Sequence, residues 1–299
     1  MPHIRDLRVP NPFVLPVPAD GAYYLFGSTW RLPGCTTTSF HSYRSRDLES
    51  WDGPHPAFVA PPGFWADRDF WAPEVHALGG AFYMLANFTA PGRYRGTQVL
   101  RADAPGGPYL PISDGPVTPP HWECLDGTLH VDAQGEPWIV FCHEWVQIHN
   151  GSMCAMRLSA DLSRAVDRPV YLFSATDGAW VLPISKPGED PAHPFACYVT
   201  DAPFVHRTAS GGLLMLWSSF GAGGYTLGLA RSDDGTVTGR WEQVAEPIWT
   251  ADGGHGMLFR TFEDRLMLCM HAPHSNGQWR TLLMPVEETD GGLKLTAGA

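Results

Sequence analysis

Residues 209–217 read ASGGLLMLW, a glycine-bearing turn followed at once by an apolar run that begins at Leu213. The run has the length of a strand and is too short for a helix, and the turn before it marks where the strand starts. The same pairing recurs along the chain: ADGA before 23–26 (YYLF), LGGA before 82–85 (FYML), AQGEP before 138–141 (WIVF) and FEDR before 266–270 (LMLCM). The steps between Tyr23, Phe82, Trp138, Leu213 and Leu266 are 59, 56, 75 and 53 residues. A repeat of roughly 50 residues without helical periodicity is the signature of propeller blades, each a small antiparallel sheet packed on its neighbours around a channel. Five such blades fill 299 residues. A two-sheet sandwich also has short strands and frequent turns, but this unit is longer than a sandwich hairpin and continues to the end of the chain. No Pro- or Ser-rich linker interrupts it. The sequence therefore reads as all-β, a five-bladed β-propeller forming one domain over residues 1–299.

Composition agrees with a turn-rich β architecture. The chain has 32 Gly and 28 Pro, one position in five, and both residues disfavour helix interiors. With 12 Trp, 9 Tyr and 15 Phe, 44% hydrophobic and 17% charged residues, there is ample material for a packed core. Twenty basic against 31 acidic side chains give a formal charge of −11. That balance argues against nucleic acid and anionic membranes as partners, since both need a basic footprint. No segment approaches the roughly 20 apolar residues that span a bilayer. The first residues, MPHIRDLRVPNPFVLP, lack the apolar core of a signal peptide, so a cytoplasmic location is expected. The six cysteines form no CxxC pair and are expected to be free, buried thiols. The pattern carries no signal for a particular oligomeric state.

In a propeller the first strands of all blades converge on one axis, so polar residues distant in sequence meet at one mouth. Blade one offers Asn11 before an apolar strand, and blade two offers Asp67, Asp69, Trp71, Glu74 and His76 in DRDFWAPEVH. Blade three offers Glu123, Asp126 and Asp132, then His143, Glu144 and Gln147; blade four offers Asp201; blade five offers His255 between glycines and, later, Arg280. Acidic groups alternate with aromatics, a pattern suited to sugars. Strand alternation puts His143 and Trp145 on one face and Glu144 on the other. Trp71 suits either stacking on a sugar ring or packing between blades. Glu74 suits a sugar hydroxyl, a base, or an ion pair with Arg68, and Arg280 suits a clamp on a hydroxyl or carboxylate.

At these residues the chain resembles glycoside hydrolase family 43, the five-bladed propeller glycosidases, over essentially its whole length. The family's DP, WAP, strand-preceding Asp, EGP or EAP, and glycine-flanked His motifs are answered here by Asn11-Pro12-Phe13, Trp71-Ala72-Pro73, Asp126 in LDGTLHVD, Asp201 in DAPFV, and Gly254-His255-Gly256. The resemblance implies hydrolysis of terminal α-L-arabinofuranosides or β-D-xylosides of oligosaccharides with inversion. That chemistry needs a general acid and a general base about 6.5–9.5 Å apart. By position Asp201 is the acid, Asp126 tunes its pKa, and Trp71, His76, His143 and Arg280 are substrate-binding candidates. No cofactor is required. The family's matching histidine lies near a calcium ion, often through water, so His255 is a candidate for a water-mediated structural calcium.

Two positions depart from the pattern. The base position holds Asn11, whose amide cannot take a proton as a carboxylate does, and the acid position holds Asp where Glu is usual. Either an engineered base-to-amide substitution or a natural loss accounts for Asn11, and Glu74 is the candidate alternative base. Two further readings stay open: a sugar-binding pseudoenzyme without turnover, and a retaining fructan-type furanosidase. Arg68-Asp69 and Glu123-Cys124 mimic the fructan family's RDP and EC motifs, although its blade-one nucleophile is missing.

Overall fold

A computed structural model describes residues 1–29, 35–185, 192 and 194–296. Five four-stranded antiparallel sheets follow one another in chain order. Blade one is β1 (Phe13–Val17), β2 (Ala22–Phe26), β3 (Ser39–Ser45) and β4 (Asp52–Val59); blade two is β5 (Arg68–Leu78), β6 (Ala81–Thr89), β7 (Gly96–Ala102) and β8 (Leu110–Pro111). Blade three is β9 (Cys124–Val131), β10 (Pro137–His143), β11 (Ser152–Arg157) and β12 (Val170–Ser174). Blade four is β13 (Asp201–Arg207), β14 (Leu213–Gly221), β15 (Gly224–Ser232) and β16 (Glu242–Gln243); blade five is β17 (Gly254–Arg260), β18 (Leu266–Ala272), β19 (Arg280–Thr289) and β20 (Gly292–Leu295). This is the five-bladed β-propeller the repeat predicts. The long step of 75 residues falls where 26 residues separate the end of β12 from the start of β13.

Each apolar run is the second strand of its blade, covered on both faces by neighbouring blades, which is why it is apolar throughout rather than alternating. Leu213, Leu214, Met215, Leu216 and Trp217 are all buried. The core accordingly divides into wedges between blades. Leu85, Val99, Ile139 and Phe141 fill the wedge between blades two and three, and Phe173, Trp217 and Trp241 that between three and four. The ring is closed by the N-terminal segment: Thr281 N donates to Leu7 O at 3.3 Å, and Met257, Phe259 and Cys269 of blade five share a core with Leu25 and Phe26 of blade one. All six cysteines are free, five of them buried.

One local device repeats in every blade and sets the mouth. The residue entering each inner strand has a left-handed backbone: Asn11 (φ 55), Ala72 (φ 45), Asp126 (φ 51), Ala202 (φ 50) and His255 (φ 54). Each is followed by Pro or Gly. The turned backbone points its N–H sideways, where it donates to a side chain of the preceding blade. Asn11 N bonds His271 Nδ1 (3.1 Å), Ala72 N bonds Ser28 Oγ (2.8 Å), Asp126 N bonds Asn87 Oδ1 (3.0 Å), Ala202 N bonds Asp126 Oδ2 (3.1 Å) and His255 N bonds Ser218 Oγ (2.9 Å). Five inter-blade bonds thus fix five residues around one rim. A Cβ at Gly254 would sit 2.7 Å from both Ser218 Oγ and the Tyr225 ring, so only glycine lets His255 enter this close.

Candidate active site

The rim brings together residues from all five blades. Asp126 is buried, and both of its oxygens accept N–H donors: Oδ1 from Asn87 Nδ2 (2.8 Å) and Oδ2 from Ala202 N (3.1 Å). The neighbouring Asp201 Oδ2 accepts from the Tyr225 hydroxyl at 3.1 Å, and among the described residues its other oxygen has no donor. Burial, reinforced by the Asp201 charge, lifts Asp126 well above the usual carboxylate range. Burial, with Glu144 adding to it, pushes Asp201 up to about 7, against the pull of Tyr225 and Arg95. Two interacting carboxylates, Asp126 buried and Asp201 half-buried, release their protons in separate steps. Asp201 is the one with an oxygen free to hold and deliver a proton.

Glu144 completes the acidic group from a position that strand alternation does not predict. β10 ends at His143, and Glu144 caps a single helical turn, α1 (Trp145–Ile148), which turns its carboxylate inward. There it meets Arg95, whose Nη1 lies 2.7 Å from both Glu144 oxygens, while Nε and Nη2 hold Asp69 Oδ2 at 3.0 and 2.9 Å. The guanidinium lies over the Trp71 ring, 4.7 Å from its centroid. One face of Trp71 is therefore taken by Arg95, leaving only the other for a sugar. Arg95 anchors three residues singled out from the sequence, yet itself escapes motif reading, because its carboxylate partners are 26 and 49 residues away.

Arg95→Met should strand Glu144 and Asp69 as nearly buried, uncompensated carboxylates, costing about 3 kcal/mol near pH 8. The loss should shrink near pH 5 as Glu144, whose carboxyl burial already raises, takes up a proton, a difference that denaturant titration at the two pH values measures. Arg95 also lowers the Asp201 pKa, so the variant's alkaline activity limb should move to higher pH.

Asn11 is part-buried. Its Nδ2 donates to Ser28 Oγ at 3.2 Å, and its backbone N–H occupies His271 Nδ1. That bond fixes a tautomer: neutral His271 must carry its proton on Nε2, which lies 3.0 Å from His274 Nδ1. Burial keeps His271 neutral, and burial also pushes His255 down to about 3. Tyr225 stacks on His274, centroid to centroid 4.0 Å. The base-position and acid-position residues are thereby joined through a wall of neutral rings.

His255 Nδ1 is 3.8 Å from Asp126 Oδ2, and its ring lies 6.1 Å from that of His271. Among the described residues, no group of three or more His, Cys, Asp or Glu side chains is arranged to hold a metal. The groups around His255 are neutral imidazoles and one carboxylate whose oxygens already accept N–H bonds. That donor set does not match the oxygen-rich shell calcium takes, and no step below is routed through a metal.

The remaining sequence candidates lie outside this group. Glu74 is buried, two residues beyond Ala72, with Oε2 3.2 Å from His76 Nε2 rather than on Arg68, which pairs with Asp67. His76 packs on Phe13 at 5.1 Å, and Phe13 reaches Phe204 of blade four at 6.2 Å, so these side chains line the central channel, where a cavity of about 330 Å³ remains open. His143 stacks flat on Trp122 at 4.2 Å and bonds Gln147 Oε1 at 2.7 Å. Arg280 opens β19, two strands out from the axis, and its Nη1 reaches Arg5 O at 3.3 Å.

The residues missed by motif reading are Ser28, Asn87, Arg95, Ser218, Tyr225 and His271. Four of them carried a periodic signal. Ser28, Asn87, Ser218 and His271 each lie five positions after the first residue of an apolar run; in blade three a register shift in β10 breaks the pattern and the Asp126 carboxylate takes over the bond.

Comparison with known proteins places this geometry. The family model for glycosyl hydrolases family 43 matches residues 4–292. Among solved structures, an endo-arabinase from Bacteroides thetaiotaomicron is 37% identical, with a TM-score of 0.90 over 98% of this chain and 99% of that one. An α-L-arabinofuranosidase from Lactobacillus brevis is 16% identical with a TM-score of 0.74 over 97% and 94%, and shares the fold. No curated protein matches the chain.

Proposed function

Because the chain belongs to glycosyl hydrolases family 43, and is accordingly a glycosidase with saccharide substrates, we propose that it hydrolyses L-arabinofuranosyl linkages with inversion, Asp201 serving as general acid. The interacting Asp126–Asp201 pair carries this reading. An acid must hold a proton at working pH and release it to the leaving oxygen. Burial and the Glu144 charge do the first for Asp201, while Arg95 and the Tyr225 hydrogen bond favour the second. The choice of arabinose over xylose rests on the 37% identical relative, which is described as an endo-arabinase. Asn11 Oδ1 is free to orient the attacking water by accepting its hydrogen bond, but the amide cannot carry the proton away, so turnover should be slow.

The test is a panel of 4-nitrophenyl α-L-arabinofuranoside, β-D-xyloside and β-D-galactoside, with linear arabinan and a fructan, following the anomer of the first product by NMR. Arabinofuranoside cleavage with inversion is expected. Faster xyloside cleavage reassigns the sugar, and a retained anomer overturns the mechanism.

The raised Asp201 pKa sets two pH dependences of like sign. Activity that needs the protonated acid should fall as pH rises through about 7. The folded state also keeps a proton that the unfolded chain, with an ordinary value of 3.8, releases above about pH 4. Stability should therefore fall as pH rises from about 4 through 7, with the raised Asp126 adding to the fall, which thermal melts across that window would show.

A further inference from the structure

On the mouth side of blade two a cleft of about 320 Å³ opens between Trp65, the 92–96 turn and the 116–121 loop. Arg93, Arg95 and His121 line it with Trp65, Tyr94 and three prolines, and no Asp or Glu does. That is unexpected in a chain whose acidic residues outnumber its basic ones by 31 to 20. Arg95 is neutralised by Asp69 and Glu144. Arg93 has no such partner: among the described residues no carboxylate lies within ion-pair distance of it, and its guanidinium rests over Trp65, 5.5 Å from the ring centroid. Stacking uses the planar face of a guanidinium and leaves its N–H edge to fork onto two oxygens.

The cleft is built rather than incidental. Trp65 Nε1 donates to Gln98 Oε1 at 2.7 Å, which fixes the indole under Arg93. Gly96 lies so close to the loop opposite that a Cβ there would stand 2.6 Å from Pro116 Cβ, and the prolines stiffen that wall. Tyr94 is 45% exposed and offers an aromatic face. Arg95 belongs both to the cleft and to the catalytic mouth, so one extended saccharide can occupy both. The volume is at the lower end of small-ligand pockets, above about 300 Å³.

We propose that this cleft binds an anionic sugar residue, carboxylated or sulfated, of the saccharide whose glycosidic bond enters the mouth, with Arg93 holding the anion and Tyr94 the ring. The proposal rests on the glycosidase function above for its saccharide, and its test separates the two. Binding of methyl β-D-glucuronide, methyl β-D-glucoside 6-sulfate and methyl β-D-glucoside to the full chain is measured by NMR titration at low salt, alongside 4-nitrophenyl α-L-arabinofuranoside hydrolysis.

At least one anionic sugar should bind about tenfold more tightly than the neutral one, and whichever binds better identifies the anion. Arg93→Gln should erase that preference while leaving the melting temperature and the hydrolysis of the neutral aryl glycoside unchanged. Equal binding of all three sugars, or a preference that survives Arg93→Gln, overturns the proposal. Hydrolysis without anion preference removes the cleft alone. An Arg93-dependent preference in a chain that cleaves none of the glycosides keeps the cleft and removes the hydrolytic function.

Discussion

Asp201→Asn should lower kcat on arabinan by about 10²–10⁴-fold, the usual contribution of a positioned general acid. The substitution is nearly isosteric, and an amide oxygen still accepts the Tyr225 hydroxyl bond that Asp201 Oδ2 receives at 3.1 Å, so the rim should keep its shape. Two accompanying measurements separate lost chemistry from lost structure. The defect should be much smaller on a nitrophenyl glycoside, whose leaving group departs with little help from a proton. The variant should also be more stable than the parent above about pH 7, because it removes a carboxylate that burial makes hard to ionise. A variant that loses activity equally on both substrates and melts earlier at pH 8 would mean that Asp201 is structural. Full activity on arabinan would mean that another group is the acid.

Asn11→Asp should act in the opposite direction, raising turnover by about 10²–10⁴-fold if residue 11 faces the attacking water. The surroundings can accept the carboxylate. Asn11 Nδ2 now donates to Ser28 Oγ, which also accepts from Ala72 N, and the Ser28 hydroxyl proton is available to turn toward a carboxylate instead. The backbone bond from residue 11 to His271 Nδ1 does not involve the altered atoms. A new acid-side limb should appear in the pH profile, because the introduced base must be ionised. Equal rates for parent and variant would show that residue 11 is not where the base belongs. Saccharide binding with no turnover in the parent, and turnover only in the variant, would make the chain a disabled hydrolase.

The apolar runs declared the blades because strand length, turn chemistry and burial on both faces are local demands that each short segment satisfies by itself. The X-Pro or X-Gly steps at Asn11, Ala72, Asp126, Ala202 and His255 were visible too, and the structure gives them a cause: a left-handed residue that aims its N–H at the preceding blade. Arg95 had no such mark. Nothing near Tyr94-Arg95-Gly96 in sequence says that the guanidinium will lie between Asp69, Glu144 and the Trp71 ring. Likewise Glu74, which follows Trp71-Ala72-Pro73 directly, is carried two residues down the strand to His76 rather than into the carboxylate group.

The sequence by itself therefore determined the repeat, the blade number and the residues that can stand at the rim. The tertiary structure decided which of them act together and in what charge state. Asp132 and Asp201 are the same side chain, each beside an inner strand. At Asp132 slight burial is outweighed by hydrogen bonds from Trp138 and two backbone N–H groups, and its pKa falls. At Asp201 lost solvation and the neighbouring Glu144 carboxylate drive it up to about 7. The free energy of a charge depends on the water it loses and the charges it meets, and both are set when five separated strands converge on one axis.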